Sequence, residues 1–276
     1  MLRRAFGAVV LLGACVACSA RGPEPLVLAT TTSVGNSGLL DLLVPAVDRE
    51  LRIRLQSHLV GSGQALRMLE RGDADVAISH APVRERDFLA NHPGWLYRKI
   101  MFNDFVIIGP ANDPAGIRGA RDAVEAMARI ARSGESFVSR GDGSGTDERE
   151  QALWAVADVR PQSSRLIVAG QGMAGTLRIA GKMRAYTLSD RATFNQLSRA
   201  IESRLLFEGD PSLLNTYAVV VPDRTNDHGR VAGAFATWLA DGNGRALIDG
   251  FRVRGAPAFH VWPSGRPRSL PTDLPQ

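Results

Sequence analysis

Short apolar runs alternate with amphipathic stretches along nearly the whole chain. Residues 26–29 form an unbroken apolar run ending in Thr30-Thr31-Thr32-Ser33, and 39–47 then repeats apolar residues at helical spacing. Residues 52–59 alternate polar and apolar positions through Ile53 and Leu55, as a strand does, and 64–71 reads as a helix stopped by Gly72. A short buried strand at 75–79 precedes a polar helix at 83–91, and 105–109 is a strongly apolar strand. Further strands are predicted at 137–139, 166–169 and 185–188, with helices at 146–157, from the Gly170 loop through Lys182, and from the Ser189-Asp190 cap to Leu197. Residues 217–221 form one more hydrophobic strand, ended by Pro222. This alternation predicts an α/β fold with mostly parallel sheets, whose ligands sit beyond the carboxyl ends of the strands.

Four Gly/Ser/Thr-rich stretches fall at such strand ends, each leading into a helix. They are Thr30-Thr31-Thr32-Ser33, Gly61-Ser62-Gly63-Gln64, the loop from Ser139 to Thr146, and Gly170-Gln171-Gly172-Met173. A helix start offers unpaired N–H groups and the positive end of the helix dipole, so it suits an anion. Four together would form a cage of largely neutral donors around a small oxyanion. The runs 105–109 and 217–221 bracket a middle region and are read as paired hinge strands, the alternative being ordinary core strands. The expected organisation is a discontinuous lobe 1 at 26–106 and 217–276 and an inserted lobe 2 at 107–216.

The start of the chain bears on location. Met1-Leu2-Arg3-Arg4 followed by an uncharged apolar run from Ala5 to Ala14 is too short to span a bilayer and reads as a signal peptide, placed at 1–18. Leu12-Gly13-Ala14-Cys15 resembles a lipobox, with Cys18 a second choice, so a lipid anchor is favoured over plain secretion. Those are the chain's 2 cysteines, so the folded part uses neither disulfides nor thiolates, and a periplasmic or cell-envelope location is expected. The net charge of +5 is carried by scattered arginines and aromatic content is 6%, which argues against a nucleic-acid surface. From Pro257 onward the Pro-, Arg- and Ser-rich tail is expected to be packed or partly disordered.

An ordered series of short motifs runs through the chain: Thr30-Thr31-Thr32-Ser33, Gly61-Ser62-Gly63-Gln64-Ala65, Gly72-Asp73-Ala74-Asp75-Val76, His80-Ala81-Pro82, Met101-Phe102-Asn103-Asp104-Phe105, Ser139-Arg140-Gly141-Asp142, Ser144-Gly145-Thr146, Gly170-Gln171-Gly172-Met173, Tyr186-Thr187-Leu188-Ser189-Asp190-Arg191 and Leu214-Asn215-Thr216-Tyr217. The series resembles the tungstate-binding proteins of bacterial ABC transporters over residues 26–250. The resemblance implies a two-lobed periplasmic-binding fold of type II that hands tungstate, sometimes molybdate, to a membrane permease, with no cofactor and no enzymatic activity. It carries ligand roles onto Thr31, Ser33, Arg140 and Thr146. One departure stands out. Val34-Gly35-Asn36 replaces a threonine-tyrosine-aspartate stretch, which bears on pocket size and on selectivity among tungstate, molybdate and sulfate.

The chemistry agrees with the residues. Tungstate is a tetrahedral dianion whose oxygens accept hydrogen bonds, so hydroxyls and backbone N–H groups can satisfy it without a metal. The expected contacts are Thr31, Thr32, Ser33, Ser62, Arg140, Thr146, Gly172 and Met173. Arg140 is the strongest, because a guanidinium stays charged and donates two bonds to one oxyanion face. Its competing role is a salt bridge to Asp142 or Asp147. For Thr31, Thr32, Ser33 and Ser62 the competing role is a helix cap, and for Met173 it is core packing. No zinc pattern, P-loop ending or nucleophile elbow is present. Two alternatives remain: a sulfate- or phosphate-binding protein, or an exported hydrolase using His80 and a serine.

Overall fold

The computed structural model describes residues 24–263. Cys15, Cys18 and the signal-like segment lie outside the described residues, as does the tail beyond Pro263. The first part of the chain runs β1 (Leu26–Thr31), α1 (Thr32–Ser37), α2 (Leu39–Leu51), β2 (Leu55–Val60), α3 (Ser62–Arg71), β3 (Val76–Ser79) and α4 (Pro82–Ala90). β4 (Leu96–Gly109) leads into α5 (Ala123–Ser133), β5 (Phe137–Ser139), α6 (Gly145–Ala157), β6 (Leu166–Val168), α7 (Met173–Met183), β7 (Thr187–Asp190), α8 (Arg191–Leu197) and β8 (Arg204–Phe207). The chain then returns through β9 (Leu214–Val221), α9 (Asp227–Asp241), α10 (Asn243–Gly250) and the short β10 (Arg252–Val253), β11 (Ala256–Pro257) and β12 (His260–Val261).

β1 lies between β2 and β3 in a parallel arrangement, with Thr30 opposite Leu59 on one side and Ile78 on the other. Flanked on both edges and covered on both faces, it reads as a continuous apolar run. β9 adds antiparallel to β3, and β4 antiparallel to β9. One face of this sheet packs Leu28, Val47, Ile78, Phe235 and Leu239, which sets α2 and α9 against it. The other face packs Ala29, Leu66, Leu69, Ala77 and Val220 under α3.

The 14-residue β4 joins two groups of strands, each with its own packing, called here the first and second body. Its Leu96 to Asp104 stretch pairs with β9, whereas Phe105 to Gly109 pairs with β7 and β8. Within the second body the strand's period of two separates its side chains. Phe105 and Ile107 join Phe137, Trp154 and Tyr186, while Val106 and Ile108 join Met173 and Leu177. β5 and β6 pair in parallel, and Phe137 bridges Tyr186 just before β7.

The pairing expected between 105–109 and 217–221 is corrected here: Tyr217 to Val221 faces Met101 to Leu96 instead. Both apolar runs belong to the crossing strands, but each is core on its own side of the crossing. The crossing lies where polar residues interrupt the apolar pattern, with Asn103 opposite Asn215 and Asp104 opposite Leu214. α1, α5, α9 and α10 extend the predicted set. At the carboxyl end, Ala258, Phe259 and Trp262 are buried and β12 pairs with β4, so this part of the tail is packed.

Candidate functional site

The four Gly/Ser/Thr stretches all become helix starts: Thr31 is the N-cap of α1, Gly61 of α3, Ser144 of α6 and Gly172 of α7. Thr31 pairs with Val60, next to Gly61, so the first two starts are adjacent, and further contacts complete a ring. His80, at the end of β3, donates its backbone N–H to Ser62 Oγ at 3.1 Å. The start of α6 abuts the same residue, since a Cβ on Gly145 would lie 2.0 Å from the His80 carbonyl oxygen; only glycine permits that approach. Upstream of α6, Arg140 Nε donates to the Gln171 carbonyl at 2.8 Å, tying that loop to the one before α7. A Cβ on Gly172 would in turn sit 3.6 Å from Thr32 Oγ1 on α1.

Within the ring the side chains have different commitments. Thr31 Oγ1 accepts from Val34 N at 3.3 Å, so the hydroxyl caps α1 while its proton remains to donate. Ser33 Oγ donates to Asp190 Oδ2 at 3.1 Å, which commits its only proton to a carboxylate. Ser62 accepts from His80 and keeps its proton. Met173 is wholly buried with Val106 and Leu177, so its side chain is core and only its backbone faces the helix start.

Arg140 is 2% exposed and engages Asp142 through Nε at 3.0 Å and the second guanidinium nitrogen at 2.7 Å. The salt bridge considered from sequence is therefore present. Its remaining terminal nitrogen, Nη1, is buried without a hydrogen-bond partner, and so is Thr146 Oγ1. Buried donors without partners are costly, and a cation nitrogen more than most. The backbone beneath is held by Glu150 on α6, whose Oε2 accepts Arg140 N at 3.0 Å and whose Oε1 accepts Trp154 Nε1 at 3.4 Å. Burial pushes this carboxyl up to about 7 against the pull of Ser139 and Arg140 N.

A polar network behind the ring carries no clear sequence signature beyond the Asn103 and Leu214-Asn215-Thr216-Tyr217 motifs. Asn215 Nδ2 donates to Asn103 Oδ1 at 2.8 Å and to the Tyr217 hydroxyl at 2.9 Å. Its Oδ1 is thereby left to accept from His80 Nδ1 at 2.9 Å, and this bonding pattern assigns the ring proton to Nδ1. The imidazole stacks on Tyr217 at 4.8 Å between centroids. Burial holds its pKa down to about 4, with Asn215 and Asp190 opposing and Arg140 reinforcing the shift. Its ring nitrogen meets Asn215 rather than a serine hydroxyl. A cavity of about 30 Å³ lies beside it, lined by His80, Val83, Phe105, Gly145 and Thr216 among others. Its walls include none of the expected contacts.

The fold and the ring of helix starts define a solute-binding protein of the periplasmic type, and residues 19–243 match the PBP superfamily domain. The chain belongs to that superfamily and, within it, to the family of the tungstate-binding proteins. It is 37% identical over 241 residues to the tungstate-binding protein TupA of Peptoclostridium acidaminophilum, covering 85% of this chain and 84% of that protein. The tungstate ABC transporter protein of Geobacter sulfurreducens has a similar crystal structure, with a TM-score of 0.74 at 38% identity over 83% of this chain and 99% of that one. TupA of Desulfovibrio alaskensis G20 gives a TM-score of 0.73 at 34% identity, over 87% of this chain and 99% of that chain.

Proposed function

We infer that this chain captures tungstate, or the closely similar molybdate, outside the cytoplasm and passes it to the permease of an ABC importer. The lobe boundary would fall at the Asn103–Asn215 crossing rather than at 106 and 217: the part before Asn103 together with the part from Asn215 to Pro263 would make one lobe, the part between them the other, with the crossing as hinge. The observation that carries the reading is the pair of buried, unpartnered donors, Arg140 Nη1 in the loop before α6 and Thr146 Oγ1 in its first turn. An oxyanion accepts what these groups offer and carries nothing that they must avoid.

The donor set comprises Arg140, Thr146, the free protons of Thr31 and Ser62, and the backbone of Thr32, Ser33, Gly172 and Met173. The Ser33 hydroxyl joins it by turning from Asp190, so ligand binding exchanges that bond for one to the oxyanion. Asp142 orients Arg140 from outside. The chain binds its ligand without transforming it, consistent with a histidine ring hydrogen-bonded to an amide. A lipid on Cys15, or on Cys18, would tether the protein at the membrane.

Isothermal titration calorimetry with tungstate, molybdate, sulfate and phosphate at fixed pH tests the reading. Tungstate is expected to bind tightest, with molybdate next. Preferential binding of sulfate or phosphate would reassign the ligand, and heat from none of the four would reject the oxyanion site.

A further inference from the structure

We propose that Glu148 is a positioning residue that clasps the two lobes by capping the start of α4 from across the cleft. The proposal deepens the reading above and rests on it. α4 begins with Pro82, which has no N–H, and its N-cap Ala81 supplies no side-chain bond. Ala81 N is taken by Glu85, a buried carboxylate of the same helix, at 2.9 Å. The next N–H along the first turn, that of Val83, donates to Glu148 Oε1 at 3.0 Å. Glu148 belongs to α6, 65 positions away and beyond β4.

The arrangement is an N-cap supplied in trans. A carboxylate at a helix start satisfies an orphan donor and meets the positive end of the helix dipole. Glu148 also stands in the first turn of its own helix, so it faces the favourable end of both α4 and α6. Arg84 Nε lies 3.6 Å from Oε2, but Arg84 is 45% exposed against 18% for Glu148, so that ion pair is screened and secondary. Next to the clasp, the Gly145 backbone presses on His80, making this a second point at which α6 meets the first lobe.

Opening the lobes would separate Val83 N from Glu148 and return both to water. The clasp therefore biases the closed arrangement whether or not ligand is present, and a bound oxyanion leaves only when it releases. Glutamine retains an acceptor for Val83 N without the charge, whereas alanine removes both.

The test uses the mature protein as wild type, Glu148→Ala and Glu148→Gln. Tungstate release is followed by stopped-flow fluorescence, and the radius of gyration of the ligand-free protein by small-angle X-ray scattering. E148A is expected to release tungstate about fivefold faster, the typical effect of losing a helix cap. It should also have a larger ligand-free radius, and E148Q should recover most of both effects. Unchanged release and radius in E148A, or equal impairment of E148A and E148Q, overturns the clasp. If wild type fails to bind tungstate, the functional reading falls while the ligand-free radii still decide whether Glu148 holds the lobes together.

Discussion

Arg140 is held in place by partners on two of its nitrogens and keeps the third unpaired. Two of its guanidinium nitrogens are spent on Asp142 and Gln171, which fix the plane of the group. The third remains buried and unpaired. In the proposed site an oxyanion reaching that buried nitrogen would form a charge-assisted bond. Ser62, by contrast, offers one neutral hydroxyl that already accepts from His80. Arg140→Ala is accordingly expected to cost on the order of 3 kcal/mol of tungstate binding, and Ser62→Ala about 1 kcal/mol, by calorimetry. Equal losses, or none at Arg140, would remove the guanidinium from the site. The identity and local context of Arg140 were legible in the chain, since a lone arginine in a glycine-rich loop stands out. The proton of Ser33 was not, because its partner Asp190 is 157 positions away.

At the scale of elements, α6 carries more of the site than its sequence declares. Ser144 caps it, Thr146 opens it, Glu148 reaches α4, and Glu150 holds the Arg140 backbone from below. Burying Glu150 gives it a folded pKa of about 7, above that of an unfolded glutamate. Between those two values the folded state binds more protons than the unfolded one, so this residue's contribution is fully present below the unfolded pKa and is lost as pH rises through about 7. Thermal melts from pH 5 to pH 8 should thus show a smaller decline for Glu150→Gln than for wild type, on the order of 2–3 kcal/mol by pH 8. Parallel slopes would mean that Glu150 titrates normally. Helix α6 itself was readable from its cap and spacing, whereas its buried carboxylate looks in sequence like any polar helical position.

For the whole molecule, the decisive element is β4, whose two ends belong to different sheets and different cores. Hinge motion between such bodies needs a few residues that bend while the flanking strands stay paired. In the proposed two-lobed arrangement Asn103 and Asn215, hydrogen-bonded to each other where the apolar pattern is interrupted, would take that role. Location belongs to this scale too. Among the described residues no helix is long and apolar enough to cross a membrane. The proposed tether is a lipid on Cys15 or Cys18, which lie outside those residues. Metabolic labelling with a radioactive fatty acid is expected to mark the wild-type protein and to fail for Cys15→Ala, with the signal persisting only if Cys18 is the acceptor.

The chain alone determined the alternation of strands and helices and the four helix starts with small polar residues. Each is a local property: periodicity, capping and turn chemistry act over a few residues, so they survive in a one-dimensional reading. Tertiary structure decided which strands meet, and it corrected the supposed pairing of the two apolar runs. It also decided which hydroxyls retain a proton, where a carboxylate is buried, and that Val83 at the start of α4 donates to Glu148 on α6. The pairings that matter most here join residues far apart, 65 positions for Val83 and Glu148 and 157 for Ser33 and Asp190, and only tertiary packing brings such groups within hydrogen-bonding distance.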